Sequence, residues 1–334
     1  MKKIGYLGLG AWGYCLASLL ANQNNCQVVA WTANPDLADH LNRREPHPRF
    51  KEYCSPDRLS FTTDLAKVLN EADLIVESVT CAGIRPVFEQ MRSLSIPNCP
   101  IVITSKGIEQ GSGQILPQVA AEVLGEMHRP NLCLLSGPSF AKEVIAGFPA
   151  SVVASGYCFE TVQKVCDLFT TPSFRVYPNM DIAGVAFGGA LKNVIAIACG
   201  ISHGLNLGNS SKAALMTRGL HEICKLALAY GCKSQTMYGL TGMGDLCLTC
   251  GSDLSRNFLF GTYLAQGNTV TQAQEKIGMV VEGAYTCCSA LELGKKYEIE
   301  MPISKAVFDI MNGNLTPQEA VKALMQRTVK EEHL

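Results

Sequence analysis

The stretch GVAFGGALKNVIAIACGI, residues 184–201, is apolar or small except for Lys192 and Asn193. At helical spacing Lys192 is flanked by Gly188 and Gly189 on one side and by Ile195 and Ala196 on the other. No charged residue lies within reach on the same helix. An ammonium set there can snorkel, with its stem on apolar surface and its head in water. It can also be a desolvated amine whose pKa is drawn down toward the range of proton transfer. The mid-helix position counts against snorkelling, because a buried ammonium is costly unless it is paired or deprotonated. This stretch alone leaves both readings open.

Three other segments hold side chains able to act on a polar substrate. IVITSKGIEQG places Lys106 at a strand end beside Gly107, and LSGPSFAKEV places Gly137 and Ser139 at a strand-to-helix turn. Their ordinary readings are a solvated loop lysine and a helix N-cap. YGLTGMGDLCLTCGSDLSRNFLFG reads as a glycine-rich loop followed by a helix, and it carries Asp245, Thr249, Ser255, Arg256 and Asn257. A capped loop has that composition; so does a grip on a phosphate or carboxylate. His203 and His221 are alternative proton donors, but neither has an evident carboxylate to orient it.

The elements that must position these groups follow from periodicity. GLGAWG, with Gly8, Gly10 and Gly13, is a GxGxxG run between the strand-like KIGYLG and a helical AWGYCLASLLANQ, and QVVAW then reads as a second strand. In that β-turn-α context the first glycine permits the tight turn, the second lets the backbone approach a pyrophosphate, and the third lets helix and strand pack closely. Phosphates would then face the free N–H groups of the helix N-terminus. Trp12 either flanks the cofactor or packs on the sheet. The basic start and apolar run mimic an export signal, but the glycine punctuation favours a chain that stays in the cytoplasm.

Where an acidic residue would bind a ribose hydroxyl, WTANPDL has Thr32, Ala33 and Asn34, while Asp36 reads as part of a helix start. Nothing there repels a 2′-phosphate, and Arg43 and Arg44 lie one helix away, so NAD and NADP both remain open. The runs ADLIVESV, CPIVITS, NLCLLS, ASVVAS and FRVYP, mostly separated by helical patterns, complete an α/β signature. From about residue 180 strand signals give way to period-3.6 patterns, the last opening with Thr316–Pro317. The expected fold is α/β: a Rossmann-type, mostly parallel sheet over residues 1–179, joined to an all-helical domain over 180–334.

Composition narrows the class. At 334 residues two domains are expected, and 47% hydrophobic with 17% charged residues describes a large core. A formal net charge of −1 with interspersed signs gives no nucleic-acid surface and no polybasic membrane patch. Fifteen cysteines, an odd number at irregular spacing, read as reduced thiols rather than a disulfide framework. Cys247, Cys250, Cys287 and Cys288 have poor spacing for zinc, so no metal is expected. A nucleotide-binding half joined to a helical half with an isolated lysine points to a dehydrogenase. Lys192 would protonate the nascent alkoxide, Asp245 would orient that ammonium, Lys106 would polarise the carbonyl, and Arg256 would anchor the anionic end of the substrate.

The segments GLGAWG, SKGIE, SGPSFAKEV, FGGALKNVIAIACGI, LTGMGDLCLTC, SRN and VVEG together resemble the NAD(P)-dependent glycerol-3-phosphate dehydrogenase family, of the bacterial, phospholipid-supplying type, essentially end to end. The resemblance implies reduction of dihydroxyacetone phosphate to sn-glycerol 3-phosphate, with Lys192 as proton acceptor in the oxidation direction. It implies substrate contacts at Lys106, Gly137, Ser139, Lys192, Asp245, Ser255, Arg256 and Asn257, supported by Asn193 and Thr249. Cofactor contacts carry over to Gly8, Gly10, Ala11, Trp12, Gly13, Lys106, Ala141, Arg256, Val280 and Glu282. A homodimer is also implied. Two departures stand out: Ala33 where NADP-preferring members have a basic residue, and ESVTCAGIRP without the proline often found after the third strand of the motif. Two rival readings are a β-hydroxyacid dehydrogenase of the 6-phosphogluconate or 3-hydroxyisobutyrate kind and a non-catalytic NAD(H) sensor. The LTGMGDL and SRN segments speak against the first, and the intact set of Lys106, Lys192, Asp245 and Arg256 against the second.

Overall fold

KKIGYL forms strand β1 (Lys2–Leu7), buried over its last four residues, and the chain turns through the glycine loop into the helix Ala11–Ala21. The structure, a computed structural model, describes residues 1–332. Seven strands follow: β2 (Cys26–Trp31), β3 (Leu59–Thr62), β4 (Leu74–Glu77), β5 (Ile101–Ile103), β6 (Leu132–Ser136), β7 (Ala150–Gly156) and β8 (Phe174–Asn179). They form one sheet in the order β3-β2-β1-β4-β5-β6-β7-β8. Every pairing is parallel except β6 with β7. The apolar runs of β4, β5 and β6 are buried along their whole length, as strands covered on both faces must be. Strand β3 was not among the expected strands. It has four residues, lies at the sheet edge and pairs with β2 alone, so it is too short for its alternation to stand out.

The register fixes where a ligand can lie. Leu7 pairs with Trp31 on β2 and with Glu77 on β4, so these three carboxyl ends are level. Strand order reverses between β1 and β4, and open α/β sheets bind ligands outside the carboxyl ends at such a switch point.

The chain divides into two compact units, Met1–Ser105 with Leu116–Ile182, and Lys106–Ile115 with Ala183–Leu334. The expected division was at 179/180; by compactness the segment Lys106–Ile115 groups with the helical unit. Its buried Ile108 and Ile115 close on each other in an antiparallel bridge, and a Cβ on Gly113 would lie 3.6 Å from Leu293. Residues 333 and 334 lie outside the described residues.

The second unit is built around the helix Ile182–Gly204, long and apolar enough to cross a membrane, yet its most apolar window is 94% buried within the protein. Backbone contact explains part of its glycine content. A Cβ on Gly200 would meet the Phe258 carbonyl at 2.0 Å, and one on Gly261 the Ile197 carbonyl at 2.0 Å, so this helix and the helix Arg256–Ala265 touch backbone to backbone. The glycine-rich stretch read as a loop is also helical. A π-helical turn, Leu240–Gly244, runs into the α-helix Asp245–Cys250. Its Gly242 serves contact rather than turning, since an added Cβ would lie 2.0 Å from the Met237 carbonyl.

Candidate active site

In the first unit the three glycines divide their roles in space. Gly8 has φ +95°, which disfavours a side chain, and a Cβ on Gly13 would lie 2.1 Å from the Gly8 carbonyl. A Cβ on Gly10 would meet nothing within 4 Å. That open approach, at the head of a helix whose N-cap makes no side-chain hydrogen bond, fits a dinucleotide pyrophosphate. Ala11 and Trp12 open the helix and pack against the core. The Trp12 indole N–H is buried without a hydrogen-bond partner among the described residues.

At the end of β2, Thr32 is buried and Ala33 exposed. Asn34 caps the helix Pro35–Asn42 by accepting from Leu37 N at 3.2 Å, with Asp36 in that helix's first turn. Arg43 pairs with Glu45 at 2.7 Å, and Arg44 donates to the Ser55 carbonyl at 3.2 Å, so both arginines are tied into their own loop. Ser139 is not the N-cap of the helix Ala141–Ile145; that position is Phe140, and Ser139 Oγ donates to the Gly137 carbonyl at 3.2 Å.

Two residues of this unit escaped the sequence reading. His47 is buried, stacked on Tyr14 at 4.6 Å, with Nε2 donating to the carbonyl of Leu9 at 3.1 Å and Nδ1 accepting from Arg49 N at 3.1 Å. It therefore braces the glycine loop as a neutral imidazole, and burial lowers its pKa from the usual histidine value. Glu77 ends β4 fully buried. A carboxylate closing the apolar run LIVE was the available signal for Glu77; nothing in PHPRF marks His47.

In the second unit the lysine question has a geometric answer. Lys192 is 6% exposed, and its Nζ donates to Asp245 Oδ1 and to Thr249 Oγ1, each at 2.6 Å. Lys106 Nζ donates to the other oxygen, Asp245 Oδ2, at 2.6 Å. Thr249 in turn donates to the Asp245 carbonyl at 2.6 Å, so its oxygen is left to accept from Lys192. Two ammoniums and one carboxylate leave a single net positive charge in a buried site, suited to an anionic or incipiently anionic oxygen. Two of the three Lys192 protons have protein acceptors, which leaves one for a ligand.

Burial draws the Lys192 pKa down to about 8, outweighing the Asp245 carboxylate that raises it, with Lys106 lowering it further. Asp245 is desolvated too, yet the two lysines overcome that and hold its carboxyl below the usual carboxylate range. The Asp245 side chain is delivered by the π-helical turn, which Thr241 ties to the lysine helix through a 3.0 Å bond to the Val185 carbonyl.

The remaining predicted residues of this unit lie in the following contacts. Ser255 caps the helix Arg256–Ala265, accepting from Phe258 N at 3.2 Å. Asn257 Oδ1 accepts from Gly283 N at 2.9 Å, and a Cβ on Gly283 would press on the Asn193 carbonyl at 2.7 Å. These contacts bring the Asn193, Asn257 and Val280–Glu282 segments together. Arg256 is exposed and donates to the Val280 carbonyl at 2.8 Å, and Glu282 opens the helix Glu282–Lys296. His203 is exposed against Phe258, and His221 lines a cavity of about 400 Å³; neither bonds Lys192. Cys247 is exposed and Cys250 buried, and no cluster of three metal-ligating side chains occurs among the described residues.

Comparison with known proteins places this arrangement. The model for the NAD-dependent glycerol-3-phosphate dehydrogenase N-terminus matches residues 3–161 and that for the C-terminus residues 181–322. A glycerol-3-phosphate dehydrogenase [NAD(P)+] from Protochlamydia amoebophila is 64% identical, with 100% of both chains covered. The crystal structure of a glycerol-3-phosphate dehydrogenase from Coxiella burnetii superposes with a TM-score of 0.92 at 35% identity, over 98% of this chain and 99% of that one. D-mandelate dehydrogenase shares the fold alone, at TM-score 0.65 and 13% identity over 96% of this chain and 99% of that one. With both halves matched and an identity this high over the full length, the chain belongs to the NAD-dependent glycerol-3-phosphate dehydrogenase family.

Proposed function

We propose that this protein reduces dihydroxyacetone phosphate to sn-glycerol 3-phosphate, with NADH or NADPH, and runs the reaction reversibly. The observation that carries this reading is the shared carboxylate: Asp245 between Lys106 and Lys192, with one Lys192 proton uncommitted. Reduced nicotinamide, when bound, would supply the hydride. Lys192 holds the proton for the developing C2 alkoxide and takes it back in the oxidation direction, a task served by a pKa of about 8. Asp245 keeps that ammonium charged and oriented, Thr249 fixes its direction, and Lys106 faces the same oxygen. Arg256 grips the substrate phosphate, with Gly137, Ser139, Asn193, Ser255 and Asn257 completing the substrate contacts. The residues that would contact the cofactor are Gly8, Gly10, Ala11, Trp12, Gly13, Ala33 and Ala141 of the first unit and, by the family resemblance, Val280 and Glu282 of the second. The enzyme acts as a cytoplasmic homodimer supplying the glycerol phosphate of phospholipids.

The test is oxidation of NADH and NADPH, in parallel, by the purified protein with dihydroxyacetone phosphate. Turnover with either supports the assignment, and the ratio of kcat/KM gives the cofactor preference. Saturable cofactor binding without turnover on this substrate, but with turnover on a 3-hydroxy acid, would transfer the assignment to the hydroxyacid reading.

A further inference from the structure

Glu77 sits at the carboxyl end of β4, beside the switch point, with no cation among the described residues paired to it. Its hydrogen-bond circuit can be counted proton by proton. Ser105 Oγ lies 2.5 Å from the Val79 carbonyl oxygen and 2.7 Å from Glu77 Oε1. A hydroxyl has one proton, and a carbonyl can only accept, so the serine proton goes to Val79. The remaining contact then needs a proton from Glu77. With the serine proton so placed, an ionised carboxylate would leave two acceptor oxygens facing each other at 2.7 Å. Oε1 keeps a lone pair for the Val79 N–H at 2.5 Å. Oε2 is buried with no hydrogen-bond partner among the described residues, a position that a neutral carbonyl oxygen tolerates far better than an anion.

The surroundings cannot supply that proton. Thr104 Oγ1 donates to the Glu77 backbone carbonyl at 2.8 Å; Ser78 Oγ therefore donates to Thr104 at 2.6 Å, and Tyr6 OH to Ser78 at 2.7 Å. Each hydroxyl in this chain has already spent its proton. The titratable groups on the packed elements are Tyr6 on β1 and Cys15 on the following helix, both pushed up by burial and neutral near pH 7. Lys106, next in sequence to Ser105, has its ammonium on Asp245.

We infer that Glu77 is held as an uncharged carboxylic acid that ties the segments after β4 and β5 together at the nicotinamide end of the dinucleotide site, where its ionisation discriminates oxidised from reduced cofactor. The site's orientation follows from the sheet: phosphates at the glycine loop after β1 and the adenosine ribose at the end of β2 leave the nicotinamide half to the β4–β5 side. The oxidised ring is cationic and the reduced ring neutral. A neutral Glu77 is indifferent to that difference, and an ionised one favours the oxidised form. On ionisation the Ser105 proton turns from the Val79 carbonyl to Oε1, and burial, outweighing that bond and the backbone N–H groups of Val79, Ser105 and Thr104, moves this carboxyl up to about 7. The inference rests on the glycine loop being the dinucleotide site. As a positioning residue Glu77 touches no reacting atom.

The test uses the intact protein in two arms. In the first, infrared difference spectra of wild type and Glu77→Gln are recorded from about pH 5.5 to 8.5. A protonated-carboxyl C=O band, present at low pH in wild type, lost with an apparent pKa near 7 and absent from Glu77→Gln, is expected. In the second, dissociation constants for NADH and NAD+ are measured by protein fluorescence over the same range. Their ratio should shift several-fold toward NAD+ with rising pH in wild type, because an ionised carboxylate favours the cationic ring, and stay flat in Glu77→Gln. The amide nitrogen can donate to Ser105 but, unlike Oε1, cannot also accept from the Val79 N–H, so the variant is read only where it folds and binds NADH. Should it not fold, the wild-type band with 13C-labelled glutamate and the wild-type ratio decide alone. Absence of the band at low pH, or a wild-type ratio that does not move with pH, overturns the inference. A titrating band in a protein that does not turn over dihydroxyacetone phosphate leaves this inference standing and rejects the proposed substrate.

Discussion

Asp245→Asn is the substitution that most directly probes the shared carboxylate. The amide nearly preserves shape but removes the only negative charge between two ammoniums, each held at 2.6 Å. Lys106, whose side chain is 20% exposed, can turn toward water, whereas Lys192 at 8% cannot. The loss therefore falls on Lys192. Unit charges about 4 Å apart at an effective dielectric near 20 interact by about 4 kcal/mol, equivalent to roughly three pKa units. Relaxation of the site should reduce this to roughly two units, which takes the Lys192 ammonium from about 8 in the native protein to the region of 6. At neutral pH it is mostly protonated in the wild type and mostly deprotonated in the variant.

Ketone reduction needs the protonated lysine, so kcat/KM for that direction should be level at low pH and fall as pH rises through the Lys192 pKa. In wild type the fall should set in near pH 8. In Asp245→Asn it should set in about two units lower, with roughly a tenfold deficit at pH 7 that closes on acidification. The assay is initial-rate oxidation of reduced cofactor with dihydroxyacetone phosphate across about pH 5 to 9. The substrate phosphate, with a second pKa near 6, titrates equally for both enzymes, so the difference between the profiles isolates the protein. A break at the same pH in both, with the variant slower by a constant factor, would refute the charge argument and reduce Asp245 to a geometric brace.

Lys192→Met, which keeps the stem but not the amine, should lower kcat by about 10²–10⁴-fold, the usual worth of a positioned proton donor, and leave the NADH dissociation constant within about twofold; stopped-flow turnover beside fluorescence titration separates the two. Ala33→Arg offers a cation at the exposed end of β2 and should raise the NADPH over NADH preference in kcat/KM by roughly tenfold or more, since a charge-assisted bond contributes about 1.5–3 kcal/mol. An unchanged ratio would place the 2′-phosphate away from this strand. His47→Phe keeps the stack on Tyr14 but leaves the Leu9 carbonyl unpaired, so cofactor KM should rise by a factor corresponding to roughly 1–3 kcal/mol while kcat at saturation holds. Because the folded pKa of His47 lies below its unfolded value, its neutral form contributes stability above about pH 6.5, lost as pH falls below that. Thermal melts should show that acid-side loss in wild type and less of it in His47→Phe.

How much of this was legible depends on whether a residue conflicts with its own neighbourhood. Lys192 could be found because a cation in an apolar helix is anomalous within one turn of sequence. The glycine loop could be found because its spacing is local and its flanking strand and helix have different periods. Asp245 was harder. Its partner Lys106 is 139 residues away, and its own segment reads as a loop because glycine signals turns and close contacts alike. At Gly242 the φ is ordinary and the reason is the Met237 carbonyl, which no window of sequence contains. Glu77 and His47 were missed for the same reason in reverse. Each looks ordinary along the chain and becomes exceptional only when burial is known, since a carboxyl at a strand end and an imidazole between prolines usually meet water. Sequence therefore exposes groups whose cost is visible locally, such as Lys192. Asp245 and Lys106 could be named from sequence, but their sharing of one carboxylate with Lys192 is visible only once three distant segments are folded together. There one carboxylate between two lysines leaves the positive charge a nascent alkoxide requires.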